Sequence, residues 1–169
     1  MMLKKAICFG TLLSISILSY ATPDPDPQTA SDDLSGLWRT IDDRTGFSKA
    51  LVRMDMAKDG SYQGTIVKII PRPDYTPQEF CKNCPAPYTN KPMLGLLVLT
   101  GLKASSRDGY YVDGKVMDPL SGRIYNGKAR LSKDGRRLSM RGYVGVSMLG
   151  RSQSWVRESE SALTTDKYK

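Results

Sequence analysis

Between positions 110 and 157 the chain alternates apolar and polar residues in short runs joined by glycine-containing turns, with no helical stretch between them. A period of two puts successive side chains on opposite faces of a strand, so such runs at hairpin spacing predict an antiparallel meander. The same rhythm begins earlier, and eight strands are expected over 36–42, 48–56, 61–70, 93–102, 110–117, 123–132, 136–144 and 151–158. In the second, Ala50, Val52, Met54 and Met56 share a face while Arg53 and Asp55 take the other. Asp59-Gly60, Asp118-Pro119-Leu120-Ser121-Gly122 and Lys133-Asp134-Gly135 supply turn chemistry, proline pre-setting φ and glycine taking the left-handed position. The expected fold is all-β: an eight-stranded antiparallel up-and-down barrel, which can be filled by its own side chains or hold one small ligand.

The run 93–102 departs from the pattern, because its Leu and Val residues fall on both faces. Neither face can then sit in water without cost, and something must cover the outside. The segment 71–92 is too long for a simple turn and is the expected cover, or lid.

The ends of the chain add a compartment. Lys4 and Lys5 precede the apolar stretch 6–17, and Ser19-Tyr20-Ala21 offers small residues at the −3 and −1 positions of a cleavage site. Residues 1–21 therefore read as a signal peptide, giving a periplasmic or secreted protein that does not span the membrane after cleavage. Asp-Pro steps without apolar periodicity make 22–32 a disordered linker; 33–158 is the barrel domain and 159–169 a polar tail. The formal charge of +8 fits either a solubilising surface or attraction to an anionic envelope component. Lys and Arg are spread along the whole domain, which with export argues against nucleic acid as a partner.

Candidate chemistry is sparse. The chain has no histidine, which excludes Ser-His-Asp and Cys-His catalysis. Asp42, Asp43 and Asp118 remain as carboxylates for an enzyme, but Asp118 stands where an Asp side chain commonly closes its own turn. Cys81-Lys82-Asn83-Cys84 is expected to form a disulfide. Pro85 and Pro87 oppose the helix a redox pair would want, and zinc would need two further ligands. No metal, cofactor or catalytic set is assigned. The last two strands carry a polar face of Arg137, Ser139 and Arg141, then Arg151 and Gln153.

Three motifs carry a resemblance: Asp118-Pro119-x-Ser121-Gly122-x-x-Tyr125, Arg141-Gly142-Tyr143-x-Gly145, and Gly150-Arg151-x-x-x-Trp155-x-Arg157. With Gly36-x-Trp38, Asp42, Gly46, the Cys81/Cys84 pair and Gly95, the chain resembles an exported bacterial family known as domain of unknown function 2147. The resemblance implies a lipocalin-like β-barrel outside the cytoplasm and no particular activity. Gly36-x-Trp38 also resembles the lipocalin opening, in which a first-strand Trp packs under a last-strand Arg, here Arg157 or Arg151. Trp38, Trp155 and Arg157 are thus the expected barrel-closing residues. The leading expectation is non-catalytic binding of a small amphipathic or lipid-like ligand. Its tail would lie among Val52, Met54, Ile66, Leu96, Val98, Tyr125 and Met140, with an anionic head at Arg141 and Arg151. The alternative is an envelope-interaction protein with a filled barrel and a basic outer face; a carboxylate-dependent enzyme stands third. The oligomeric state is not legible.

Overall fold

The computed structural model describes residues 33–72 and 75–165, so the expected signal peptide and linker lie outside the described residues. Eight strands form a closed antiparallel barrel in chain order: β1 (Gly36–Ile41), β2 (Ser48–Met56), β3 (Tyr62–Ile69), β4 (Leu97–Ala104), β5 (Tyr110–Asp118), β6 (Arg123–Leu131), β7 (Arg137–Tyr143) and β8 (Arg151–Glu158). β8 returns to pair with β1, so no strand edge is left open to other chains. The chain's period of two becomes an inner and an outer wall. Up-and-down order gives the barrel two ends. One bears the β2–β3, β4–β5 and β6–β7 turns with the chain entry at residues 33–35. The other bears the β1–β2, β5–β6 and β7–β8 turns and the long β3–β4 segment.

That segment is a strap. Cys81 and Cys84 are disulfide-bonded, with Cα atoms 5.4 Å apart, and both are buried in the main core. Backbone bonds from Cys81 N–H to Lys91 O and from Met93 N–H to Glu79 O close its base. It docks on the β5–β6 turn, where Asn83 Nδ2 donates to Leu120 O at 3.2 Å. A Cys-x-x-Cys bridge closes a short loop and stabilises by about 2 kcal/mol on chain-entropy grounds. Replacing both cysteines with serine is expected to raise hydrogen exchange across 79–93 and lower the melting temperature by several degrees, with β5–β8 still protected. Rapid thiol labelling of the native protein would contradict the oxidised pair.

β4 differs from expectation. It begins at Leu97, and Met93–Leu96 belong to the approach. Its register against β3 shifts twice, between Tyr62 and Gly64 and between Gly64 and Thr65, and Gly101 takes a φ of 68°. Such bulges break the strict alternation of a strand. Leu96, Val98, Leu99 and Leu102 all join one core cluster with Val52 and Met54. The run that reads apolar on both faces is therefore accommodated by irregular backbone as well as by the strap.

The tail also differs. Residues 160–163 form a short 3₁₀ turn lying on the outer wall, where Ala162 is buried with Leu37, Leu51 and Ile70. Arg53 grips Glu160 through two bonds of 2.9 and 2.6 Å, and Lys68 Nζ donates to the carbonyls of Ala162, Leu163 and Thr165. The fold thus runs past 158. Ala162 and Leu163 are the only apolar pair in that stretch, too short a signal to show a period.

Candidate functional site

The chain-entry end is sealed. Trp38 is fully buried, and its indole N–H donates to Leu34 O at 2.9 Å. The Arg157 guanidinium lies 4.4 Å over the Trp38 ring, within cation–π range. It donates to Gly135 O at 2.8 Å and to Ser35 O and Asp33 O at 2.6 Å each, tying two turns across the opening. Burial disfavours its charge, and the Asp33 carboxylate partly offsets this. Tyr62 and Tyr111 meet edge to face just inside, at 5.7 Å between centroids, both with phenol pKa values raised by burial.

The waist is packed. A Cβ at Gly64 would lie 3.1 Å from atoms of Leu99, Met54 and Val52; at Gly114, 2.9 Å from Leu102; at Gly127, 2.7 Å from Val116. Large side chains here lean on bare backbone, the interdigitation expected of a small barrel's interior.

Nearer the strap end, inner-wall Gly142 is less closely covered than the waist glycines. A Cβ at Gly142 would make only ordinary contact with Tyr125, at 3.4 Å. Trp155 pairs across the ladder with Leu138 and Thr40, Gln153 with Met140, and Arg151 with Gly142. Directly paired residues share a face, so β8 presents Arg151, Gln153 and Trp155 as one inner column. Trp155 is buried at 4% exposure, Gln153 is half-buried and Arg151 is exposed at the rim. Among the described residues, the Trp155 indole nitrogen is a buried side-chain atom with no hydrogen-bond partner. Buried donors are normally satisfied, so an orphan on an inner wall marks a place for an acceptor.

The sequence-derived site residues fall into three groups. Val52, Met54, Ile66, Leu96, Val98 and Met140 come together in one buried cluster, with Val52 and Met54 filling the waist. Tyr125 is half-buried beside Gly142, at the strap end. Arg141 and Arg151 are not brought together. Arg141 pairs with Ser152 and lies on the outer wall, where its Nε and Nη2 donate to Ser147 O and Met148 O. The supposed common polar face of the last two strands is thus split by register: Arg137, Ser139 and Arg141 face out, Arg151 and Gln153 face in. A one-residue offset across a hairpin exchanges faces, and the seven-residue β7–β8 loop, with Gly145 and Gly150 but no short turn motif, does not fix that offset in the sequence. Thr40, buried beside Trp155 with its hydroxyl donating to Ala50 O at 3.3 Å, was missed because a lone Thr in a strand carries no signal.

A concavity of about 390 Å³ lies on the outer wall, lined by Thr100, Lys115, Ile124, Tyr125, Asn126, Tyr143 and Val144. Lys115 and Asn126 bond to each other across it at 2.6 Å. Two of the three carboxylates raised as catalytic candidates are engaged in turns, and Asp43 stands exposed in the β1–β2 turn. Asp42 accepts from Arg44 N–H and Thr45 N–H and pairs with Lys49 at 2.7 Å, which holds its pKa well below the carboxylate range. Asp118 accepts from Leu120 N–H and Ser121 Oγ.

The family described as "Uncharacterized protein conserved in bacteria (DUF2147)" matches residues 36–157, and the chain belongs to it. No curated protein matches the chain. Among solved structures it is similar to HP1028 from the human pathogen Helicobacter pylori, described as belonging to the lipocalin family. The two share 20% identity with a TM-score of 0.65, over 81% of this chain and 90% of that one. At that identity the likeness establishes the fold.

Proposed function

We propose that this member of the family is an exported, non-catalytic barrel that binds one small amphipathic ligand through its acceptor end. The ligand enters at the strap end. Its acceptor meets the Trp155 indole N–H, Gln153 and Arg151, and its apolar body lies against Met140 and Tyr125. The orphaned Trp155 N–H carries this reading, since a buried unpaired donor costs about 1–3 kcal/mol that a bound acceptor recovers. The packed waist supports a compact ligand over a long acyl chain. The Lys4/Lys5 leader and the Cys81–Cys84 disulfide support export.

The test uses native mass spectrometry of protein from its own host, then titration with the compact anionic fluorophore anilinonaphthalene sulfonate. Arg151→Gln is expected to weaken binding about tenfold, the scale of one charge-assisted hydrogen bond. Trp155→Phe, which keeps the ring and drops the donor, should weaken it several-fold. Folded protein with neither co-purified mass nor probe binding would overturn the reading. The packed waist at Gly64, Gly114 and Gly127 would then favour the second reading, a filled barrel whose basic outer face engages an anionic envelope component.

A further inference from the structure

The β7–β8 loop exposes what soluble proteins usually hide. Val144, Val146, Met148 and Leu149 are 66, 62, 87 and 82% exposed, in consecutive or near-consecutive positions. The loop is held in place. Residues 147–149 form a 3₁₀ turn whose carbonyls at Ser147 and Met148 accept from the Arg141 guanidinium at 2.8 and 3.1 Å. A third Arg141 bond reaches Ser152 Oγ at 3.0 Å, and Lys128 Nζ donates to Ser147 Oγ at 3.0 Å. Gly150 lies close on β7, where a Cβ would come within 2.5 Å of Gly142 O. Two basic residues thus anchor a turn that points its apolar side chains at solvent.

The surroundings are basic. Lys115, Arg123, Lys128, Arg141 and Arg151 belong to this end or the adjacent wall, and half-exposed Ile124 lies beside Val144 in the outer concavity. From residue 119 to 152 the one acid is Asp134, in the β6–β7 turn at the opposite end. Asp118, in the β5–β6 turn, is engaged by Ser121 and Leu120, and Asp42, in the β1–β2 turn, by Lys49; Asp43 and Glu79 are the other acids at this end among the described residues. An apolar tip inside a cationic collar complements a surface that is anionic outside and hydrocarbon beneath. Four side chains on a projecting turn are far less than the roughly 800 Å² per partner of a stable protein interface.

We propose that the 144–149 turn docks the folded barrel on an anionic lipid surface, with Met148 and Leu149 entering the headgroup–acyl boundary and the basic collar meeting the headgroups. This stands independently of what the barrel interior holds. The mature protein is mixed with phosphatidylglycerol or phosphatidylcholine vesicles and sedimented. Binding is expected on the first, weakly or not at all on the second, and is expected to fall with added salt. Met148→Ser with Leu149→Ser should reduce it about tenfold or more, at an unchanged melting temperature because both side chains are exposed. Equal sedimentation of wild type and double variant overturns the proposal, as does a wild type that ignores phosphatidylglycerol. A wild type that dimerises without binding vesicles, while the variant is monomeric, assigns the tip to a second copy and also overturns it.

Discussion

Trp38→Ala is expected to destabilise the barrel by about 3–5 kcal/mol, the range for deleting a large buried aromatic. The magnitude follows from what Trp38 touches. Its ring is fully buried, its N–H is bonded to Leu34 O, and its face carries the Arg157 guanidinium at 4.4 Å. Arg157→Met is the companion change. It keeps an apolar stem and leaves the carbonyls of Asp33, Ser35 and Gly135 without this donor, at about 1–3 kcal/mol for each that water does not reach. In a urea double-mutant cycle the two should couple by about 0.5–2 kcal/mol, since removing either ring or cation removes their contact. Additive effects, or a Trp38→Ala loss under about 1 kcal/mol, would mean that this end is not closed by the pair.

That plug was legible through the resemblance of Gly36-x-Trp38 to the lipocalin opening, which left Arg157 or Arg151 as the last-strand partner; the register of β8 on β1, with Arg157 opposite Trp38, selects Arg157. The strands of the second half were legible for a similar reason: turns such as Asp118–Gly122 and Lys133–Gly135 announce themselves by φ-restricted residues. β4 was harder. Its bulges are set by where Leu99 and Leu102 find room against Gly64 and Gly114, a tertiary fit that no single run displays. The candidate site shows the same limit. Arg151, Gln153 and Trp155 share a face on alternation alone, but whether that face looks inward depends on their pairing with Gly142, Met140 and Leu138. An unpaired indole N–H cannot be read from sequence at all, because it is defined by what its neighbours leave undone.

Gly122→Ala is expected to detach the strap from the barrel, with a larger effect on it than loss of the disulfide. Gly122 has a φ of 72°, where an L-residue is strained by about 1 kcal/mol. The larger cost is steric. The new Cβ would fall 1.8 Å from Asn83 O and 2.5 Å from its carbonyl carbon. Those are backbone atoms between the two bridged cysteines, so no rotamer change relieves the overlap. Either the β5–β6 turn opens or the 81–84 loop lifts, taking Cys81 and Cys84 out of the core. Lifting is the expected outcome, because the turn is held by Gly122 N–H on Asp118 O and by the Asp118 side chain, whereas Asn83 holds the strap here by one exposed bond. Hydrogen exchange should then rise across 79–93 with β6–β8 unchanged, and the cysteines should become reducible under mild conditions. If the strap also gates the barrel mouth, probe binding by Gly122→Ala should be faster in both directions at similar affinity. A variant with native protection over 79–93 would show that the turn yields first and that the strap is not docked through this contact.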